Sequence, residues 1–101
     1  MYYSPIDATR EIKRRAKDSG NVAFTEHAED QMQERQINTS EVLRALRSGV
    51  VRIPGEVGEH GDYCYRIEAQ MGKETLMSVV CIPKGDPSLL VITAFRKSNR
   101  I

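Results

Sequence analysis

Apolar residues recur along this chain in two rhythms, helical spacing over the first half and near-strict alternation over the second. In the first half, Ser4-Pro5-Ile6-Asp7 is a helix start: a Ser N-cap, a proline where no N–H is needed, and an acid at the positive dipole end. The spacing predicts a helix from Pro5 to Asp18, ended by Gly20-Asn21. Its stripe of Ile6, Ala8, Ile12 and Ala16 is thin, which suits a surface helix that docks loosely. Val22-Ala23-Phe24 is short and apolar, an edge strand or an entry segment. Thr25 then offers an N-cap for a second helix, Glu26 to Arg35. Asn38 with Glu41 has capping-box spacing, and Val42, Leu43, Leu46 and Val50 keep the helical period until Gly49 closes a third helix.

From Val50 the period changes. Val50 to Ile53 reads as a short strand, stopped by Pro54-Gly55 and a polar loop running through Gly58 and Gly61 to Asp62. Tyr63, Tyr65, Ile67 and Ala69 then alternate with Cys64, Arg66, Glu68 and Gln70, the mark of a strand with one packed and one polar face. Thr75 to Ile82 and Leu89 to Phe95 are apolar on both alternating sets, as expected at the centre of a sheet, and the Pro83–Pro87 turn between them makes them antiparallel neighbours. The fold class is therefore α+β: N-terminal helices packed on a C-terminal, four- to five-stranded antiparallel sheet. With 101 residues, one domain spanning 1–101 is expected, made of a basic N-terminal helix (1–20) and a main unit (22–97).

Composition narrows the class without naming a function. A hydrophobic share of 40% with 29% charge belongs to a chain that folds unaided, not to a disordered one. Two cysteines, Cys64 and Cys81, are too few for a disulfide framework and are expected to be reduced and buried. No apolar run is long enough for a signal sequence or a membrane span, so a cytoplasmic location is expected. The net charge of +1 hides an uneven distribution. Arg10, Lys13, Arg14, Arg15 and Lys17 crowd the first helix, Arg96, Lys97 and Arg100 crowd the far end, and acids collect between Glu26 and Glu34.

No phosphate-cradling glycine loop, serine elbow or metal-spaced His/Cys pair is present. His27, His60, Cys64 and Cys81 are ligand types at scattered spacing, so neither a metal nor another cofactor is expected. His27 lies in the first turn of the second helix, where the dipole favours the neutral imidazole able to act as general base; a plain hydrogen bond to nearby backbone is the ordinary alternative. Arg35 falls on the helical face of Ala28 and Met32, and a core-side arginine needs a partner, either Glu68 or a bound phosphate. Arg66 on a polar strand face, with Tyr65 near it, suits phosphate contact and base stacking, although tyrosines on a packed face are commonly core. Thr93 sits in an otherwise apolar strand whose end carries Arg96 and Lys97, cations able to neutralise a transition-state charge. Such a set fits metal-independent RNA cleavage by transesterification.

The run Phe24-Thr25-Glu26-His27-Ala28 through Met32, Glu34-Arg35 and Ile37, then Glu41-Val42 and Leu46-Arg47-Ser48-Gly49, resembles the family called domain of unknown function 4258. Tyr63-Cys64-Tyr65-Arg66-Ile67, Val80-Cys81 and Leu90-Val91-Ile92-Thr93-Ala94-Phe95 extend the resemblance, which covers roughly Val22 to Lys97. That family is grouped with RelE-like and MqsR-like toxins. The resemblance implies a RelE-like fold, RNA, including ribosome-bound mRNA, as substrate, and an antitoxin protein as partner. Carried over by position, it implies catalytic roles for His27, Arg35 and Arg66 and puts Thr93 in the family's final strand; with Tyr65, Arg96 and Lys97, read from their own positions, Thr93 is expected to contact substrate. A non-catalytic RNA- or protein-binding module on the same scaffold is the alternative.

Overall fold

A computed structural model describes residues 2–98. Ser4 caps the first helix, α1 (Pro5–Ala16), its Oγ accepting from the Asp7 N–H at 3.2 Å. A 3-10 turn, Ser19–Asn21, leads to β1 (Val22–Phe24). Thr25 Oγ1 accepts from the Ala28 N–H at 3.0 Å and opens α2 (Glu26–Glu34). The Asn38–Glu41 capping box is formed in both directions, at 2.9 and 3.1 Å, and opens α3 (Thr39–Ser48). Five strands follow: β2 (Val50–Val51), β3 (Glu56–Val57), β4 (Tyr63–Gln70), β5 (Thr75–Pro83) and β6 (Leu89–Ser98). The pair Glu56–Val57 lies in the stretch expected to be loop and pairs with Cys64 and Tyr63.

The sheet runs β1-β6-β5-β4-β2, with β3 also on β4. The expectation of an antiparallel sheet holds for β2 to β6 and fails at β1, which pairs with β6 in parallel, Val22 with Leu89 through Phe24 with Val91. The sheet is therefore mixed and six-stranded. A three-residue strand is too short to show its direction in a hydrophobic pattern. Helix α2 continues along the same edge where β1 stops. The Thr25 N–H donates to the Val91 carbonyl at 3.0 Å and Arg35 donates to the Ala94 carbonyl at 2.9 Å, so α2 and its flanks cover an edge that would otherwise be open.

Register sorts the side chains into two faces. Tyr65, Cys81 and Val91 lie side by side on the face toward α1 and α3, as do Ile67, Val79 and Ala94. With Ile12, Val42, Leu46, Met77 and Leu89 they make the core. Arg66, Val80 and Thr93 lie together on the opposite face, as do Glu68, Ser78 and Phe95. Gly49 lets α3 meet the sheet: a Cβ there would stand 2.6 Å from the Ala45 carbonyl oxygen and 2.7 Å from that of Glu68.

The first helix docks tightly, contrary to the loose packing its thin stripe suggests. Ala8, Ile12 and Ala16 are fully buried, while Ile6 faces outward. The sequence pattern does not reveal Arg15, which is 3% exposed yet belongs to the buried face. It donates to the carbonyls of Lys84 and Ser88 at 2.8 and 2.7 Å and to Glu11 at 2.8 Å, pinning α1 to the β5–β6 turn. Cys81 is buried in the core, its thiol pushed up to about 12 by burial; Cys64 is half-buried on the opposite face, and both are free. No described helix is long and apolar enough to cross a membrane.

Candidate functional site

A cavity of about 450 Å³ opens on the sheet face away from α1 and α3. Its lining includes His27 from the first turn of α2, His60 and Asp62 from the loop after β3, Cys64 of β4, Ile82 of β5, and Ile92 and Thr93 of β6. The register of β5 and β6 slips here: Val80 pairs with Thr93 and Cys81 with Val91, leaving Ile92 as the extra residue of a bulge. The bulge brings both Ile92 and Thr93 to the cavity wall, the kind of re-aiming for which such irregularities are used.

His27 is not isolated. Gln31, one helical turn on, places its Nε2 2.8 Å from His27 Nε2, and Thr93 Oγ1 donates to Gln31 Oε1. With Oε1 occupied, Gln31 presents its amide N–H to His27 Nε2, which accepts. The strand thus orients the helix's histidine through an amide, and among the described residues His27 Nδ1 has no hydrogen-bond partner. Across the loop, Lys84 contacts Asp62 at 2.7 Å and holds its carboxyl below the usual range. Burial, with Asp62 and Glu56 nearby, pushes the Cys64 thiol up, so at neutral pH it is a thiol and not an activated nucleophile. Among the described residues, no three His, Cys, Asp or Glu side chains are grouped to hold a metal ion.

The residues singled out from the sequence are divided by the fold. His27 and Thr93 share the cavity. Arg66 lines a smaller adjoining recess with Ile53, Pro54, Glu56 and Val80, joined to the first through Cys64, and its guanidinium lies 5.9 Å from the centre of the Phe95 ring. Tyr65 is on the core face, 1% exposed, its hydroxyl accepting from the Tyr3 N–H at 2.6 Å. Arg35 does not face the core as its position in the helical stripe suggests. Helix α2 ends at Glu34, the chain reverses through Gln36 at φ +55°, and the exposed Arg35 side chain turns to the β6 edge. Its expected partner Glu68 instead pairs with Lys97 at 2.6 Å. Arg96 clamps the end of α2, donating to the carbonyls of Arg35 and Gln36 and to Glu41. Arg100 lies outside the described residues.

His60, Asp62 and Gln31 are cavity and network residues that the pattern of the sequence does not single out for this role. Gln31 was open to inference as the i+4 neighbour of His27. His60 sits in a glycine-bounded loop, where no periodicity says which way a side chain points.

The family described as Domain of unknown function (DUF4258) matches residues 24–96, and the chain belongs to it. Comparison with curated proteins and with solved structures gives no match. The matched stretch takes in His27, Gln31, His60 and Thr93 and leaves α1 outside.

Proposed function

We propose that this DUF4258 member is a metal-independent endoribonuclease of the toxin kind, cleaving mRNA by transesterification with His27 and His60 as its proton-transfer pair. The observation that carries the reading is that both histidines of the chain, one from a helix and one from a distant loop, line a single cavity. Imidazole is the side chain suited to give and take protons near neutral pH. One histidine takes the 2′-OH proton as O2′ bonds to phosphorus, the P–O5′ bond breaks, and the other histidine protonates the leaving 5′ oxygen. The products are a 2′,3′-cyclic phosphate and a 5′-OH, with no cofactor in the balance.

Gln31 is a positioning residue in this scheme. A threonine hydroxyl both donates and accepts, so the Gln31 amide can turn over and satisfy His27 Nε2 with or without its proton. Nδ1 then remains available to the substrate. Arg66, adjoining the cavity, approaches the phosphate, and Ile82 and Ile92 give a base an apolar wall. Tyr65, Arg35, Arg96 and Lys97 act in the scaffold instead, through the contacts described above. The grouping of the family with RelE- and MqsR-like toxins is in keeping with the same reading and adds a protein antitoxin as partner.

The test is incubation of labelled RNA in EDTA with wild type, His27→Ala and His60→Ala. Cleavage by wild type alone, with cyclic-phosphate ends, is the expected outcome, each variant losing at least about 100-fold in rate. An unchanged rate in either variant removes that histidine from the chemistry. Binding of intact RNA without cleavage by any of the three would point to a non-catalytic module.

A further inference from the structure

Of the five cations crowding α1, two have structural roles: Arg15 is buried, and Arg14 is held by Glu11 and by Asp86 at 2.6 Å. The other three form an outward row. At 100° per residue Arg10, Lys13 and Lys17 fall within an arc of about 60°, centred about 130° from the buried Ala8, Ile12 and Ala16, in a row about 10 Å long with Arg10 and Lys17 exposed and Lys13 half-buried. Neighbouring elements add to it. Arg47 of α3 donates to the carbonyls of Ala16 and Lys17 at 2.7 and 3.4 Å, which sets its guanidinium at the end of α1, and Arg44 is exposed one turn earlier. The Val51 N–H donates to Thr9 Oγ1 at 2.9 Å, so exposed Arg52 follows directly beside α1. Among the described residues, none of Arg10, Lys13, Lys17, Arg44 or Arg52 forms an ion pair. The bordering acids are Asp7 at the head of the row and Asp18 at its tail.

We infer that this α1/α3 surface is a second nucleic-acid contact, binding the phosphate backbone of RNA on the side of the molecule opposite the histidine cavity. The whole sheet and the helix layer lie between the two. A net charge of +1 conceals this because Glu26, Glu29, Asp30 and Glu34 are gathered on α2, so the field is strongly one-sided. The occupant follows from what the surface lacks. A membrane-lying helix needs an exposed apolar face, and that of α1 is in the core, with Ile6 its only exposed large apolar side chain. Unpaired arginines and lysines in a row instead suit a run of phosphates, which they neutralise with release of counterions. The choice of RNA over other polyanions rests on the proposed ribonuclease activity; the surface would hold substrate away from the scissile bond.

The experiment compares RNA affinity against salt for Arg10→Gln/Lys13→Gln/Lys17→Gln and its parent, both carrying His27→Ala so that a 40-nucleotide RNA stays intact. Loss of three phosphate contacts is expected to weaken binding about tenfold or more at low salt and to flatten the slope of log K against log salt by about two. Equal melting temperatures show that the fold is intact, and single variants, each expected to lower the slope by about 0.7, replace the triple one if it unfolds. With His27 present, a dinucleotide is cleaved at the same rate with or without the three substitutions. An unchanged salt slope overturns the inference, as does binding of the parent to phosphatidylserine vesicles with none to RNA. Absence of all cleavage together with the expected loss of slope would sink the ribonuclease reading and leave the surface standing.

Discussion

The two faces of the sheet are built from the same strands and behave oppositely. Toward α1 and α3, Tyr65, Ile67, Val79, Cys81 and Val91 are sealed, and the polar groups that enter are satisfied: the Tyr65 hydroxyl by Tyr3, Arg15 by two carbonyls and Glu11. On the other face, Val80, Ile82, Ile92 and Phe95 are half-buried, interleaved with Arg66, Glu68, Thr93 and Lys97, and α2 meets this face along β6, through Gln31 and Thr93. Stability resides on the first face, while the cavity with its histidines opens on the second. Alternation along β4 makes this division possible, because each step of one residue changes face.

The sharpest way to break the contrast is to damage the sealed face. Ile12→Ala is expected to cost about 2–5 kcal/mol in denaturant unfolding, since the side chain is fully buried and its neighbours collapse only in part. Tyr65→Phe should cost about 1–2 kcal/mol by leaving the Tyr3 N–H without its partner, with no direct effect on cleavage. On the open face, Arg66→Ala is expected to cost under about 1 kcal/mol, the scale of an exposed cation–ring contact, while RNA cleavage falls. A stability loss at Arg66 as large as that at Ile12 would erase the distinction.

Acid sharpens the comparison more gently. Glu11 is lowered chiefly by its hydrogen bond with Arg14, Glu41 by the Asn38 backbone and then Arg96, and Asp62 by Lys84. A carboxyl lowered in the folded state stabilises above its unfolded value, about 4, and that contribution is lost as pH falls through the folded value. Melting temperature should therefore hold from neutrality to about pH 5 and decline below it. Glu11→Gln, whose partners tie α1 to the β5–β6 turn, should flatten part of that decline. The same slope in wild type and variant would show that Glu11 contributes nothing to it.

Much of this division is legible in the amino-acid order. The caps at Ser4, Thr25 and Asn38 have local chemical signatures, and β4 has eight residues in which to display its alternation. The parallel partner of β6 and the two residues of β3 have no such length, and only tertiary pairing defines them. Arg35 illustrates a different failure. A helical wheel gives the direction of the Cα–Cβ bond and not the reach of a long side chain: Arg35, the C-cap residue of the helix, extends its guanidinium to the Ala94 carbonyl at the β6 edge. Arg15 stays on its wheel and is buried; composition alone makes a solvated cation the default. At the site, His27 and Thr93 stand out in the sequence because they lie in regular elements. His60 joins them only through the path of its loop, which the chain's pattern does not define.

The central claim is that His27 and His60 work as a pair, and the pH dependence of kcat/KM on a short RNA tests it most directly. Wild type should give a bell, with each of His27→Ala and His60→Ala strongly slowed and lacking one limb, and Gln31→Leu should lower kcat with little change in KM. Retention of the full wild-type bell in both histidine variants would contradict the account.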